Sequence, residues 1–355
     1  VKALVLTGRT GTMSRPCGDG VHVANRPVVS YALEAVKKSG ISEVGIVVDR
    51  HDDPIRKAVG TGAAFGLDVT YIRQDASLLG LGILLARDFL DEDDFLVLHG
   101  GEVVLDDVPS LVAEYRRSDR AEAVAMVGEL AKAGSGPVAL VDEHGHLVGI
   151  TEGHGHSAFD RALVGAYVFS PAIHQAVMSA GPTWYGGYAL TDAVTWMISH
   201  GATVLAYSAR GYWNTVGCVD NVLDCNRELL RRLDPLVLGE VDDDSELIGP
   251  VLVDAGSTVR GSRVVGPAII GVGTSVSGST IGPHTSLGPD CQVQDSTVED
   301  SIVLEGATLH GVGPVRGSLI GRDAHVGTGP AGSRLVVADR SRILLTAATG
   351  EETRG

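Results

Sequence analysis

The residues best placed for chemistry follow the apolar run KALVLT. A turn holding Gly8, Arg9, Thr10, Gly11 and Thr12 comes next, and Arg15 and Arg26 follow it within ALVLTGRTGTMSRPCGDGVHVANRP. Glycines in such a turn let backbone N–H groups approach a phosphate closely, and a guanidinium can neutralise its charge. A second polar cluster, His99, Gly100, Gly101 and Glu102, closes the apolar run DFLVL and offers one carboxylate. The remaining clusters read more simply. His154 and His156 in GHGH have no carboxylate or cysteine to complete a metal set, so a solvated loop is expected. DRHDDP (49–54) and DEDD (91–94) read as solvated turns or helix N-caps. No Ser-His-Asp or Cys-His arrangement can be located.

The elements around these residues set their geometry. KALVLT is a short continuous apolar run, typical of a strand buried on both faces. RPVVSYALEAVKKSG carries apolar residues at helical spacing (Val29, Ala32, Leu33, Val36) and stops at Gly40; EVGIVVD then reads as a strand. The alternation continues through DVTYIR, a helix over GILLARDFL, and DFLVLHGGE. AVAMVGEL, PVALVDEHGHLVGITE and ALVGAYVFSP add strands, and LTDAVTWMISHG with ATVLAYSA adds a helix and a strand. Such alternation implies an α/β fold with a mostly parallel, doubly wound, Rossmann-like sheet. Ligands of these sheets sit at the carboxyl ends of the strands, here Thr7 to Arg15 and His99 to Glu102.

From Leu247 onward the pattern changes. Aliphatic residues recur at Leu247, Val253, Val259, Val264, Ile270, Val276, Ile281, Leu287, Val293, Val298 and Leu304, in repeating steps of six, six and five. Leu247, Val264, Ile281, Val298 and Val315 are therefore equivalent positions 17 residues apart. This spacing predicts a three-sided parallel β-helix whose coils bury their aliphatic residues against neighbouring coils. No polar constellation recurs across the coils, so the solenoid reads as a spacer or an oligomerisation surface. The acidic run EVDDDSE (240–246) reads as a linker into it.

Composition excludes several classes. The 355 residues carry a formal charge of −16, and a surface lacking clustered Lys and Arg does not suit a phosphate backbone, so nucleic acid is not an expected partner. No long apolar run or signal-peptide pattern suggests a membrane. Cys17, Cys218, Cys225 and Cys291 fall in no metal spacing and read as reduced thiols of a cytoplasmic protein.

Taken in order, KALVLTGRTGT, VANRPVVSYALEAVKKSGISEVGIVVD, AAFGLDVTYIRQ, ALVGAYVFSPAIHQAV, LTDAVTWMISHG, CNRELLRRL and SIVLEGATLHGVGPVRGSLIGR resemble the long-form glucose-1-phosphate thymidylyltransferases of bacterial deoxysugar and aminoglycoside pathways. The resemblance runs nearly end to end. It implies a nucleotidyltransferase domain followed by a left-handed β-helix, and the reaction of a sugar 1-phosphate with a nucleoside triphosphate to give a nucleotide sugar and pyrophosphate. It implies nucleotide contacts at Gly8, Gly11, Thr12, Gln74, Gly80 and Leu81, and sugar contacts at Glu152, Gly165 and Thr191. Such a reaction needs cations around the phosphates, and the family supplies an arginine, a lysine and a Mg²⁺ ion held by two acidic residues.

This chain departs from the pattern at each of those places. Met13 stands at the arginine position, and the lysine-bearing stretch has no counterpart between Cys17 and Arg26. Gly101 and Thr215 stand at the two magnesium carboxylates. Arg9, Arg15 and Arg26 are the candidates for the phosphate contacts, and Glu102 is the candidate for a metal. Three readings stay open: a nucleotidyltransferase with impaired or lost activity, a non-catalytic paralogue that binds a nucleotide sugar or pairs with an active homologue, and an enzyme acting on a related sugar or cyclitol phosphate. Mg²⁺ is expected if the chain is active, and a homo-oligomer or a hetero-oligomer with a homologue is expected. The expected domains are 1–240, 241–335 for the β-helix, and a tail over 336–355.

Overall fold

A computed structural model describes residues 1–7, 21–48, 53–74, 82–130, 136–152, 159–182, 189–329 and 334–344. GHGH and residues 49–52 of DRHDDP lie outside them. The described chain divides into two compact units, one built from 1–7 and 27–215, the other from 21–26 and 216–344. The expected boundary at 240/241 therefore falls inside the second unit. Among the described residues no helix is long and apolar enough to cross a membrane.

The first unit is built on a sheet of nine described strands. Its parallel centre is β1 (Lys2–Leu6), β4 (Glu43–Val48), β5 (Asp68–Arg73) and β6 (Phe95–His99), in the order β6-β1-β4-β5. The two other short strands before β4, β2 (His22–Val23) and β3 (Arg26–Pro27), form a hairpin of their own. β7 (Glu102–Val104) follows β6, and β8 (Ala123–Gly128), β9 (Pro137–Val141), β10 (Leu147–Glu152), β11 (Arg161–Phe169) and β12 (Val204–Ser208) complete the main sheet beyond β6. β13 (Trp213–Thr215) pairs with β7 outside it.

Burial accounts for this order. Leu4 and Val97 face one apolar layer while Ala3, Val5, Leu96 and Leu98 face the other, so both surfaces of the central strands are covered. On one face, α1 (Val29–Lys38) buries Val29, Ala32, Leu33 and Val36, the residues its periodicity singles out. α5 (Val108–Arg117) packs in the same layer. On the other face, α6 (Ala172–Ala180) and α7 (Leu190–Ser199) bury Ile173, Val177, Val194 and Met197. After the short helix α2 (Asp53–Val59), the helix expected over GILLARDFL is instead two short helices, α3 (Gly82–Leu85) and α4 (Arg87–Leu90), meeting at the fully buried Ala86. Asp93 of DEDD pairs with Lys2 at 3.2 Å, so that turn is fastened to the start of β1.

The second unit opens with the helix Val219–Arg231, labelled α8, and continues as a parallel β-helix of three sheets. Val253, Ile270 and Leu287 stack in one sheet, Val259, Val276 and Val293 in the second, and Val264, Ile281, Val298 and Val315 in the third. Nearly all of these aliphatics are fully buried, as their spacing requires. One coil breaks the count. Leu287 pairs with Val303 and not with Leu304, because the corner through Asp300 and Ser301 is one residue shorter than the corners through Gly266-Pro267 and Gly282-Pro283. Sheets also begin earlier and end later than expected. Leu236–Val237 and Glu240–Val241 already pair with the next coil, and Val336–Val337 and Arg342–Leu344 still pair with the preceding one. EVDDDSE is therefore part of a coil, with Asp242 accepting the Gly261 N–H at 3.1 Å, and not a linker. The expected tail contributes strands up to Leu344 for the same reason: its backbone groups find ladder partners.

A column of serines fastens one corner. The N–H groups of Ser279 and Ser296 each donate to the serine hydroxyl one coil below, at 3.0 Å, while that hydroxyl donates to a carbonyl two residues before it. Small residues recur at this corner because each hydroxyl must serve two coils at once.

Candidate functional site

The carboxyl ends of β1, β4, β5 and β6 lie along one edge, since their register aligns Leu6 with both Val47 and His99, and Val48 with Arg73. Thr7 and His99 therefore stand at the ends of adjacent strands, and Gln74 follows β5, one strand further along the same edge beyond β4. Thr7 is 7% exposed and its hydroxyl donates to the Val47 carbonyl at 2.5 Å; Gln74 is equally buried and its N–H donates to the Val48 carbonyl. Both are fastened into the sheet edge. Of the other expected nucleotide contacts, Gly8, Gly11, Thr12, Gly80 and Leu81 lie outside the described residues, as do Arg9 and Arg15.

The three positions expected to contact a sugar all lie among the described residues. Glu152 ends β10, exposed, opposite Pro137 in β9. Thr191 is in the first turn of α7, a helix packed on β10, and its carbonyl accepts the Thr195 hydroxyl. Gly165 lies within β11 between Leu163 and Tyr167, where the pairing with β8 is irregular. A bulge of this kind frees a backbone N–H from the ladder and re-aims the strand.

Glu102 takes up that freed group. One carboxylate oxygen accepts the Gly165 N–H at 2.9 Å, and the other lies 3.5 Å from Nδ1 of His99. Gly165 must be glycine here, because a Cβ would fall 2.5 Å from His99 Nδ1 and 2.6 Å from Glu102 Oε1. The carboxylate lines a cavity of about 10 Å³ with His99, Gly165, Leu98, Val104, Val108, Ala32 and Ala35. Such a volume holds one water at most. Tyr167 packs beside the His99 ring, with centroids 6.2 Å apart. Burial, and then the Glu102 charge, raise its hydroxyl pKa, so it stays a neutral hydroxyl. The structure thus brings Glu102, Gly165 and His99 together. His99 was not singled out on its own, although its place at the end of the central strand is the signal that finds it.

Glu102 also meets the second departure from the family pattern. β13 runs antiparallel to β7 and sets Thr215 opposite Glu102, next to Gly101. Asp107 holds β13 in this place: its carboxylate accepts the N–H groups of Arg210 and Gly211 at 3.2 and 2.6 Å, ahead of Trp213. The two positions at which the resemblance implies metal-holding carboxylates are therefore neighbours, occupied by Gly101 and Thr215. The Asn214 side-chain oxygen, beside them, accepts the Thr215 N–H at 2.9 Å. Among the described residues no group of three or more His, Cys, Asp and Glu side chains could hold a metal. At this position the described residues offer the carboxylate of Glu102, one of whose oxygens already accepts the Gly165 N–H.

Arg26, the third arginine candidate, is half-buried in β3 of the short hairpin. Cys218, Cys225 and Cys291 are free thiols, the last two buried.

Comparison with known proteins bears on this arrangement. Residues 7–232 match the family model described as Nucleotidyl transferase. The chain is 45% identical over 351 residues to glucose-1-phosphate thymidylyltransferase of Streptomyces griseus, covering 96% of this chain and 99% of that one. It is 39% identical over 352 residues to glucose-1-phosphate thymidylyltransferase of Streptomyces antibioticus, covering 97% and 99%. A Bacillus anthracis chain assigned as a glucose-1-phosphate thymidylyltransferase, solved in complex with a sucrose, matches in structure with a TM-score of 0.59 at 21% identity, covering 66% of this chain and 96% of that one; it supports the fold alone. Near full-length identity at this level, joined to the family model, places the chain in the nucleotidyl transferase family, within its sugar-phosphate branch.

Proposed function

We propose that this chain binds a nucleoside triphosphate or nucleotide sugar, and a sugar 1-phosphate, at the carboxyl edge of its sheet, and that thymidylyl transfer from dTTP to glucose 1-phosphate is weak or lost. The observation that carries this reading is the Glu102–Thr215 pair: the strands meet where metal carboxylates are implied, and a glycine and a threonine stand there. Removing one preorganised charge from a concerted site costs about 10²–10³ in rate. With Met13 in place of the arginine and the lysine stretch missing, four such charges are absent, and losses of this kind do not simply add. What supports ligand binding is the set of expected contact residues that the fold keeps in place: Gln74 and Thr7 fixed at the edge, Gly165 in the bulge, Glu152 at the end of β10 and Thr191 in the first turn of α7. In this reading the protein works in the cytoplasm as a sensor or scaffold for a sugar nucleotide, and its solenoid joins it to a second copy or to an active homologue. Mg²⁺ belongs to the active homologue's chemistry.

A second reading has its own support. The 45% identity to the Streptomyces griseus enzyme favours an active transferase with rebuilt phosphate contacts at Arg9, Arg15 or Arg26, acting on glucose 1-phosphate or on a related sugar or cyclitol phosphate. One experiment separates the two. Purified protein is incubated with each nucleoside triphosphate, a panel of sugar and cyclitol 1-phosphates and Mg²⁺, and pyrophosphate release is followed beside calorimetric binding. Saturable binding without turnover supports the first reading, and turnover of about 1 s⁻¹ or faster establishes the second.

A further inference from the structure

His99 sits where the order of the sheet changes direction. From β1 the chain adds β4 and then β5 on one side, and it returns to place β6 on the other side of β1, so the sequence of strands reverses between β1 and β6. Open α/β sheets take their ligands in the crevice outside the carboxyl ends of the strands at such a point. His99 is the last residue of β6, level with Leu6, the last of β1. The next residue, Gly100, donates its N–H to the Leu6 carbonyl at 2.9 Å, and a Cβ there would fall 2.8 Å from Cγ2 of Thr7. The backbone that carries His99 is therefore fixed by the neighbouring strand.

The ring is held as closely as its backbone. One Glu102 oxygen lies 3.5 Å from Nδ1, Gly165 leaves the ring its space by having no Cβ, and Tyr167 flanks it. The Glu102 and His99 side chains are 17% and 28% exposed, so the imidazole is the more open of the two. A carboxylate beside Nδ1 favours the tautomer that carries its proton there, which makes the other ring nitrogen the acceptor. Gly165, on which the ring rests, is one of the positions at which the family resemblance implies a sugar contact.

We propose that His99 is a specificity-determining contact to the sugar: its imidazole accepts a hydrogen bond from one hydroxyl of the sugar 1-phosphate, and the site thereby prefers a hexose that carries this hydroxyl to the deoxy sugar that lacks it. This rests on the reading that the chain binds a sugar 1-phosphate.

The test is calorimetric binding of glucose 1-phosphate and of its 2-, 3-, 4- and 6-deoxy analogues to the full chain and to His99→Phe. Phenylalanine keeps a ring beside Gly165 and Tyr167 and carries no nitrogen; if that variant does not fold, His99→Leu takes its place. Titrations run with and without dTTP and without added Mg²⁺, so that no transfer intervenes. Glucose 1-phosphate should bind the variant about tenfold more weakly than the parent. The analogue that lacks the contacted hydroxyl should bind both proteins alike, and the other three should repeat the loss. Undiminished binding of glucose 1-phosphate by the variant overturns the proposal. An equal loss for all five ligands overturns it too, because a general disturbance of the site does not single out one hydroxyl. A parent chain that binds none of the five fails the underlying reading, and the proposal falls with it; one that binds them irrespective of His99 fails the proposal alone.

Discussion

Glu102 stands opposite Thr215 in the ladder between β7 and β13, yet its carboxylate is spent on the Gly165 N–H at 2.9 Å. This acidic group beside the implied metal position is thus a strut of the sheet. It closes the hydrogen-bond account of a bulge in β11 and holds the His99 ring over a glycine. The proposed loss of transfer and the stability of the site edge therefore rest on the same few residues.

Under the proposed loss of transfer, repair should be cooperative. Met13→Arg alone leaves a metal unheld, and Gly101→Asp with Thr215→Asp leaves the phosphates without their arginine. The single repairs should give no measurable pyrophosphate from dTTP and glucose 1-phosphate. The three substitutions together, with a lysine-bearing stretch inserted after Cys17, should raise turnover by far more than the product of the separate gains. A single repair that restores the rate would contradict this.

Glu102→Ala should leave the Gly165 N–H without a partner and cost about 1–3 kcal/mol in a urea titration. Glu102→Gln keeps an acceptor oxygen and should lose less. Gly165→Ala should destabilise as well, because its methyl group would press on both His99 and the carboxylate. In the double variant Glu102→Ala with Gly165→Ala the two losses should fail to add, since the first removes part of what the second strikes.

Within the solenoid, Ile270 stacks between Val253 and Leu287 with no exposure. Ile270→Asp buries a carboxyl group with no partner among aliphatics and should cost several kcal/mol, about 3 or more. A melting temperature within a degree or two of the parent would show that this register is wrong.

His174 gives the first unit an acid-sensitive point. Its ring stacks on Phe95 with centroids 5.7 Å apart, it is 5% exposed, and neither ring nitrogen has a hydrogen-bond partner. Burial, and then the Arg87 charge, lower its pKa from the usual 6.5. The unfolded chain therefore takes up this proton at a higher pH than the folded one. Stability is full above about pH 6.5 and falls as the pH drops toward the depressed folded value. Chemical denaturation at pH 7.5 and pH 5.5 should show a smaller difference for His174→Leu than for the parent. An unchanged difference would mean that other groups set the acid sensitivity.

Most of the scaffold could be read from one-dimensional patterns. The run KALVLT, the helical spacing of Val29, Ala32, Leu33 and Val36, and the 17-residue recurrence from Leu247 to Val315 each state which side of an element faces the core, and periodicity is a local property of the chain. The substitutions at Met13, Gly101 and Thr215 were legible in the same way, as residue types at motif positions. Which partner each polar group finds was decided only by the tertiary structure. Glu102 meets Gly165 across 63 residues because a bulge frees one N–H, and Asn226 meets Ala24 across 202 because α8 lies on the coil. The one short coil, from Leu287 to Val303, depends on how the chain turns at Asp300, which the count of aliphatics does not record. Burial is written along the sequence as hydrophobicity, whereas the pairing of directional polar groups depends on distances and angles that exist only after the chain has closed on itself.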